Sequence, residues 1–276
     1  MFTLNCNGKL LVLDKPLVMG IINATPDSFY KVHAQPSPDK LILLAGKMIA
    51  EGAAIVDIGG QSTRPGSQRI SAARELERIL PVIEGIRTEY PECIISVDTY
   101  QARVAEMAVR AGASIVNDIS GGSMDVEMLA IVAGLKVPYI CMHIQGTPET
   151  MQKAPVYDDL IKEVLDYFIL KTNECRKAGI HDVIIDPGFG FGKSISHNFR
   201  LLKELAIFKM LGKPILAGLS RKGTIQKTLG ITVDQALNGT TVLNTLALLN
   251  GASILRVHDV KEAKEAIDLV AAYTIA

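Results

Sequence analysis

Eight short apolar runs alternate with amphipathic segments along the 276-residue chain, and this alternation constrains the fold more than any other feature. Most of the runs are followed at once by Gly, Asn or Asp, as buried strands commonly are. The segments between them carry apolar residues at helical spacing, which places one packed face on each helix. The candidate strands lie at 17–22, 55–58, 94–97, 114–116, 137–142, 183–185, 214–217 and 253–257. The pattern predicts an α/β fold of repeated strand and helix units.

A weak internal sequence repeat supports this interpretation. Gly52, Gly112, Gly179 and Gly251 each precede a short apolar strand that ends in a polar residue, and they recur at about the length of two strand and helix pairs. Eight such units fit a (β/α)8 TIM barrel of roughly 250 residues. A doubly wound parallel sheet is the alternative, but it usually has fewer strands and a glycine fingerprint after the first one.

The first 15 residues precede the barrel pattern. Asn7 and Gly8 lie between two short apolar runs, which predicts a β-hairpin that plugs the end of the barrel opposite the functional rim. The chain has no linker or low-complexity segment, so we expect a single domain over residues 1–276.

Charge and cysteine content exclude several classes of partner. The chain has 29 Lys and Arg against 29 Asp and Glu, so no positive excess favours nucleic acid or an anionic membrane. The four cysteines form no C-x-x-C pair. There is no signal-peptide pattern and no run of about 18 apolar residues. We therefore expect a cytoplasmic protein with small-molecule substrates, in which any anion site is local.

In a TIM barrel the residues that follow the strands meet at one rim, where barrel enzymes carry their active sites. Three loops there, at 23–29, 59–66 and 186–193, are rich in Gly and Pro. A tight strand-to-helix turn explains each loop singly, whereas the three together favour a binding site. The first polar residues after the strands are Asn23, Asp57, Asp98, Asn117, His143, Asp186, the turn at 220–222 and Arg256.

Asp98, Asn117 and Asp186 place two carboxylates and an amide in the barrel mouth. Poorly solvated carboxylates need hydrogen-bond donors to stay ionised. A flat heterocycle with an amidine edge, such as a pterin or guanine ring, supplies such donors, and Lys222 would meet its remaining acceptors. The alternative is that both aspartates cap helices or pair with Lys222.

Arg64, Arg256, His258 and Asn23 form a second, donor-rich group that predicts the local anion site. For Arg256 the alternative is a surface salt bridge with Asp259. Ser220 opens a turn into a helix, where it and free backbone N–H groups suit a carboxylate. The histidines show no metal-ligand spacing.

The chain resembles the dihydropteroate synthase family of pterin-binding enzymes over nearly its whole length. The motifs, in family order, are MGIINATPDSF at 19–29, VDIGGQSTRPG at 56–66, SVDTY at 96–100, IVNDISGG at 115–122, MHIQGTPETMQ at 142–152, DPGFGFGK at 186–193, GLSRKG at 218–223, ALNGT at 236–240 and RVHDV at 256–260. The resemblance implies a (β/α)8 barrel that joins 4-aminobenzoate to 6-hydroxymethyl-7,8-dihydropterin diphosphate in folate biosynthesis. It also implies Mg²⁺ dependence, a homodimer and a sulfonamide target.

The same resemblance assigns roles to residues of this sequence. The pterin positions are matched by Asp98, Asn117, Asp186 and Lys222. The diphosphate positions are matched by Asn23, Arg256 and His258, with Asn23 also at the metal position. The 4-aminobenzoate pocket is matched by Thr63, Arg64, Pro65, Phe191 and Ser220. The residues implied in catalysis are Asn23, Lys222, Arg256 and His258.

The chain departs from the family pattern at two places. Tyr30, Lys31, Val32 and His33 stand where Ser-Asp-Gly-Gly is common, and Gln61 stands where Glu is usual. Gln keeps the size and the acceptor of Glu, so we expect a loop-anchoring or helix-capping role at this position.

Two other functions fit part of the pattern. One is a non-catalytic pterin-binding paralogue, suggested by the altered first loop. The other is a pterin-dependent methyltransferase domain that transfers a methyl group from a methyl-folate to a corrinoid protein. The STRPG and SRKG motifs argue against the methyltransferase, because both are implied to serve 4-aminobenzoate.

Overall fold

A computed structural model describes residues 1–25, 36–64, 66–151 and 155–276. Pro65 and the altered first-loop residues 30–33 lie outside the described residues. The strands are β1 (Phe2–Cys6), β2 (Lys9–Leu13), β3 (Leu17–Asn23), β4 (Ile55–Gly59), β5 (Ile94–Asp98), β6 (Ile115–Asp118), β7 (Tyr139–Met142), β8 (Val183–Asp186), β9 (Leu216–Ala217) and β10 (Ile254–Val257). The helices are α1 (Pro38–Ala50), α2 (Ala72–Glu89), α3 (Ala102–Ala111), α4 (Met128–Leu135), α5 (Leu160–Ala178), α6 (Ile195–Lys203), α7 (Gly223–Leu229), α8 (Leu237–Leu249) and α9 (Val260–Ile275).

Strands β3 to β10 form one parallel sheet that curls into a nearly closed barrel. Its order is β8-β7-β6-β5-β4-β3-β10-β9. The two edges meet where Ile185 bridges to Ile215, and the Ile185 N–H donates to the Pro214 carbonyl at 3.0 Å. Each of the eight predicted strands overlaps an observed one, so the TIM-barrel prediction is confirmed. Helices pack around the outside, and none in the described part of the chain is long and apolar enough to cross a membrane.

Successive residues of each barrel strand point alternately outward and inward. Outward residues such as Val56 and Ile58 join the large cluster between the strands and the helices. Inward residues at the beginning of the strands form a separate apolar layer. The strand members of this layer are Met19, Ile55, Ile94, Ile115, Ile140, Ile184, Leu216 and Ile254.

The N-terminal hairpin closes this end of the barrel, as predicted. Strands β1 and β2 pair antiparallel, and their buried side chains pack on the apolar layer. Asn7 and Gly8 form the turn with φ of 54° and 87°, the left-handed values that a two-residue hairpin turn of this type requires.

Two residues further along the same strands, the inward positions change from apolar to polar. Asp57 follows Ile55, Asn117 follows Ile115, Asp186 follows Ile184 and Arg256 follows Ile254 on the inner face. Because the strands are parallel, all these side chains reach the carboxyl end of the barrel together. The fold therefore gathers residues up to 199 positions apart in sequence into one site.

Candidate active site

Arg256 lies between two buried carboxylates at the centre of the barrel mouth. Its Nε donates to Asp57 Oδ2 and its Nη2 donates to Asp98 Oδ2, each at 2.6 Å. Burial lowers the pKa of Arg256, but the two carboxylates outweigh it and raise the pKa above its usual value. The guanidinium therefore stays charged and ties β4, β5 and β10 together.

Asp57 accepts hydrogen bonds from both Arg256 and Asn117. Asn117 Nδ2 also donates to Asp57 Oδ2, at 3.0 Å, whereas Asp57 Oδ1 is buried without a hydrogen-bond partner among the described residues. Burial raises the pKa of Asp98 to about 7, with Arg256 opposing the rise and Asp57 adding to it. The floor of the mouth thus has more acceptors than donors, as the predicted amidine-edged ligand requires.

Asp186 and Lys222 lie on the other side of the mouth. Asp186 Oδ1 accepts the Gly188 N–H at 2.8 Å, and burial raises the pKa of Asp186. The Lys222 ammonium donates to the Phe189 carbonyl and lies 4.5 Å from the centre of the Phe191 ring. Burial lowers the pKa of Lys222 to about 8, with Asp186 opposing that effect. Asp186 therefore caps the turn at Gly188, much as the alternative interpretation expects, and it also lies near Lys222.

His258 and Ser220 contact each other at the rim. The Ser220 hydroxyl lies 3.0 Å from His258 Nδ1 and accepts the His258 backbone N–H at 3.2 Å. Burial lowers the pKa of His258 to about 4, and the charges of Arg256 and Arg64 add to this effect. At neutral pH, His258 is therefore a neutral imidazole, so it enters the anion group as a hydrogen-bond donor and not as a cation.

Asp259 pairs with Arg221, so the alternative of an Arg256–Asp259 bridge is wrong. Arg221 Nε and Nη2 donate to the two Asp259 carboxylate oxygens at 2.9 and 2.7 Å. Arg221 Nη1 also donates to the Val233 carbonyl at 3.0 Å. This mostly buried pair joins the loop after β9, which carries Ser220, to the loop after β10, which carries His258.

Gln61 anchors the second loop, as expected. Its Nε2 donates to the Ser62 and Gln68 carbonyls at 2.8 and 3.0 Å, and its Oε1 accepts the Ile70 N–H at 2.8 Å. A glutamate could accept from Ile70 but could not donate to the two carbonyls. The side chain thereby closes the loop that carries Thr63, which is half-buried, and Arg64, which is exposed.

Asn23 ends β3 beside Gly59 and is half-buried. Its amide supplies one oxygen, and the described residues contain no group of three or more His, Cys, Asp or Glu side chains that could hold a metal by themselves. Mg²⁺ commonly keeps several waters and takes its other ligands from substrate phosphates. Asn23 therefore fits only a metal ion whose ligands come mainly from a bound diphosphate.

Sequence reasoning missed two buried ionisable residues near the site. Lys193 is 2% exposed and lies 2.9 Å from His143 Nδ1. Glu75 is fully buried in α2, and its Oε2 accepts from Gln101 at 2.5 Å. The position of Lys193 at the end of DPGFGFGK was a usable signal, whereas nothing in the local sequence distinguishes Glu75 from a surface glutamate.

Two cavities, of about 360 Å³ and about 390 Å³, open at the opposite end of the barrel. Both include Ile180 and His181, which precede β8, and neither contains a predicted site residue. At the mouth, Arg256 spans the space between the Asp57 and Asp98 carboxylates. The charged and hydrogen-bonding side chains of the mouth distinguish it as the functional end.

The family model described as pterin binding enzyme matches residues 19–258. The dihydropteroate synthase of Escherichia coli strain K12 is 44% identical over 267 residues, which cover 96% of this chain and 94% of the relative. This chain belongs to the dihydropteroate synthase family. The predicted family is thus confirmed.

Solved structures of the dihydropteroate synthase family share the whole fold. The Yersinia pestis dihydropteroate synthase with a sulfonamide drug complex superposes with a TM-score of 0.95 at 38% identity and covers 100% of both chains. The Xanthomonas albilineans enzyme in complex with 7,8-dihydropteroate gives 0.89 at 36% identity, again over 100% of both chains. These similarities extend over the N-terminal hairpin as well as the barrel.

Proposed function

We propose that this chain condenses 6-hydroxymethyl-7,8-dihydropterin diphosphate with 4-aminobenzoate, giving 7,8-dihydropteroate and pyrophosphate in folate biosynthesis. Residues 1–276 act as one pterin-binding domain and a transferase. The observation that carries the proposal is the acceptor-rich floor in which Arg256 joins Asp57 and Asp98, set in a chain 44% identical to a dihydropteroate synthase.

The pterin ring binds across the mouth. Its amidine edge donates to the Asp98 and Asp186 carboxylates, both of which are buried and otherwise short of donors. Asn117 and Lys222 meet the acceptors of the ring. Asp57 Oδ1, which accepts no hydrogen bond from the residues that the structure describes, gives the floor acceptor capacity beyond its internal hydrogen bonds.

The diphosphate binds at Asn23, Arg256 and His258. Arg256 donates to the two carboxylates through Nε and Nη2, and its side chain keeps 20% exposure. The remaining nitrogen, Nη1, is the donor that we assign to a phosphate oxygen. Neutral His258 donates a hydrogen bond from its ring. Mg²⁺, when bound through Asn23 and the diphosphate, supplies further positive charge to the leaving group.

The second substrate binds between the loops that carry Thr63, Arg64, Pro65, Phe191 and Ser220. Arg64 and Ser220 suit its carboxylate, and the Phe191 ring suits its aromatic face. The electron-rich pterin stabilises the methylene cation that forms as the C–O bond to diphosphate breaks, and the unprotonated aniline nitrogen attacks it to form the new C–N bond. The nitrogen then loses a proton to water or to the released pyrophosphate. No strong base is required, because an aniline is already neutral at pH 7. Asn23, Lys222, Arg256 and His258 are the residues that act in this step.

A homodimer completes the proposal. Helix α8 exposes Val242, Leu246 and Leu249, which are 51%, 42% and 50% exposed at helical spacing along one face. We propose that a second copy covers this face, and we expect Leu246→Glu to give a monomer by sedimentation velocity where the unmodified chain gives a dimer. A single species of monomer mass for the unmodified chain contradicts the dimer. The cytoplasmic location stays a prediction.

Pyrophosphate release tests the function directly. The purified chain is incubated with the pterin diphosphate and Mg²⁺, with and without 4-aminobenzoate, and dihydropteroate is followed by chromatography. The proposal predicts equal amounts of dihydropteroate and pyrophosphate, and inhibition by a sulfonamide that competes with 4-aminobenzoate. Pterin binding without product identifies a non-catalytic paralogue instead.

A further inference from the structure

Lys193 is a buried lysine that the proposed reaction does not use. Its Nζ lies 2.9 Å from His143 Nδ1 and donates to the carbonyls of Gly188 at 3.0 Å and Phe191 at 3.1 Å. A fourth contact, at 3.4 Å, reaches the His143 carbonyl. Neutral acceptors thus take all the hydrogen bonds described for this ammonium. These hydrogen bonds hold the backbone carbonyls of two loops in place, and none of them pairs the Lys193 charge with a carboxylate.

The acceptors belong to two loops that border the site. His143 follows β7, whereas Gly188 and Phe191 lie in the loop that follows β8. The Phe191 ring is also the ring that lies against the Lys222 ammonium. The Lys193 side chain therefore sits behind the loop whose front side faces the proposed substrates.

The two loops touch through their backbones at Gly188. This residue has φ of 71°, and a Cβ there would come within 1.9 Å of the His143 carbonyl oxygen. Only glycine allows so close an approach. Lys193 spans the same seam, since its ammonium bonds the Gly188 carbonyl on one side and His143 on the other.

We propose that Lys193 is a positioning residue for 4-aminobenzoate: its ammonium holds the Gly188 and Phe191 carbonyls against His143, and so keeps the Phe191 ring in the second-substrate pocket. This inference rests on the proposed function, because it takes Phe191 as part of the 4-aminobenzoate pocket. Lys193 acts through the loop backbone and touches neither substrate.

The pairing also determines the state of His143. Burial lowers the pKa of Lys193 to about 7, with Asp186 opposing this effect, so the side chain is an ammonium below that pH. An ammonium group only donates, so Nδ1 of His143 then accepts, and the ring proton lies on Nε2. Burial lowers the pKa of His143 to about 2, and the charge on Lys193 adds to the effect. The ring is therefore neutral with one fixed tautomer, which gives the arrangement a spectroscopic signature.

Steady-state kinetics of Lys193→Met test the inference. We expect the KM for 4-aminobenzoate to rise about tenfold, while kcat and the KM for the pterin diphosphate stay within about twofold. Lys203→Met, an exposed position on α6, is the matched control and should change neither constant. Unchanged constants, or equal losses for both substrates, overturn the positioning role. A wild-type chain that makes no dihydropteroate refutes the proposed function instead.

A second measurement keeps the inference falsifiable if Lys193→Met does not fold. Nitrogen-15 NMR of the wild-type chain at about pH 5, where Lys193 is charged, should show His143 as the neutral Nε2–H tautomer. His143→Asn retains an oxygen acceptor near the place of Nδ1, so it should keep the KM for 4-aminobenzoate, whereas His143→Leu should raise it. An Nδ1–H tautomer, or equal KM values in the two variants, overturns the inference.

Discussion

The two ends of the barrel are built from the same strands, two residues apart, and have opposite chemistry. At the N-terminal end Ile55 and Ile254 lie in an apolar layer sealed by the hairpin. At the carboxyl end Asp57 and Arg256 occupy the next inward positions of the same two strands and form an ion pair. The backbone is alike at both ends, so the side chains alone divide the barrel into a packed end and a reactive end.

The comparison also separates stability from function. Burying apolar surface at the packed end stabilises the fold by about 25 cal/mol per Å². A buried ion pair usually contributes less net stability than apolar residues of similar volume, because desolvation offsets the attraction between the charges. Asp57 Oδ1, which is buried and has no hydrogen-bond partner in the described part of the chain, adds a further cost at the reactive end. We infer that this end is retained for ligand binding.

The largest expected effect comes from removing the central cation. Arg256→Met leaves Asp57 and Asp98 without their common partner, and breaking such a pair typically costs about 3–5 kcal/mol. We expect unfolding free energy from urea titrations to fall by that order, and pyrophosphate release to drop roughly a hundredfold or more. Arg176→Met, exposed on α5, is the control. Activity near that of the wild type would mean that the ion pair is dispensable.

The packed end should lose stability without losing chemistry. Ile254→Ala leaves a cavity in the apolar layer, so we expect a loss of about 2–5 kcal/mol in unfolding free energy. The kcat and both KM values of the folded fraction should remain within about twofold of the wild type. If catalysis falls as strongly as it does for Arg256→Met, the proposed division between the two ends is wrong.

Asp98→Asn probes the reactive end more gently. The amide cannot accept from the pterin as a carboxylate does, so calorimetry should show binding of the pterin diphosphate weakened by roughly 1–3 kcal/mol. An unchanged affinity contradicts the assignment of Asp98 to the pterin site. Asp14→Asn, an exposed position just after β2 at the hairpin end of the barrel, serves as a control.

The pH dependence of stability and of pterin affinity provides a further test of Asp98 at the reactive end. The folded-state pKa of Asp98 is raised to about 7, so the folded chain holds this proton more tightly than the unfolded chain. The contribution of Asp98 to stability is therefore greatest below about pH 4 and is lost as pH rises towards 7. Pterin affinity should rise over the same interval, because the ionised carboxylate is the acceptor. In Asp98→Asn, the part of the pH dependence of stability and of pterin affinity that is due to Asp98 should disappear. A variant that keeps both pH dependences in full contradicts the assignment.

The smallest effect is expected at the exposed edge of the site. Arg64→Ala removes a charge near the rim, and exposed pairs of this kind contribute about 0.2–1 kcal/mol. We expect the KM for 4-aminobenzoate to rise by up to about fivefold, with pterin binding unchanged by calorimetry. Equal losses for both substrates would mean that the second loop is not dedicated to 4-aminobenzoate.

Most of the fold could be predicted because its signals are local. The apolar runs specify the strands, and Asn7-Gly8 specifies the hairpin turn, since each depends on a few adjacent residues. Asp98, Asn117 and Asp186 could be placed at one rim because parallel strands align their carboxyl ends. Gln61 could be interpreted as a loop anchor from the hydrogen-bonding groups of its amide.

Pairing within the site could not be predicted. Arg256 was expected to serve the anion group, with Asp259 as its alternative partner, yet it bonds Asp57 and Asp98, which are 199 and 158 residues away. His258 is predicted in the donor-rich anion group without a protonation state, and its burial keeps the imidazole neutral. Lys193 appeared only as the end of a motif. Each of these outcomes depends on desolvation, which local sequence does not report.

The sequence by itself determined the barrel, its closed end, and which residue types line the functional rim. Periodicity and turn chemistry act over a few residues, so they can be read from the chain directly. The tertiary structure alone places Arg256 between two carboxylates and Lys193 against His143. It also leaves Asp57 Oδ1 without a partner among the described residues. These contacts depend on spatial proximity and burial, because the energy of a charged group depends on the neighbours that replace water around it.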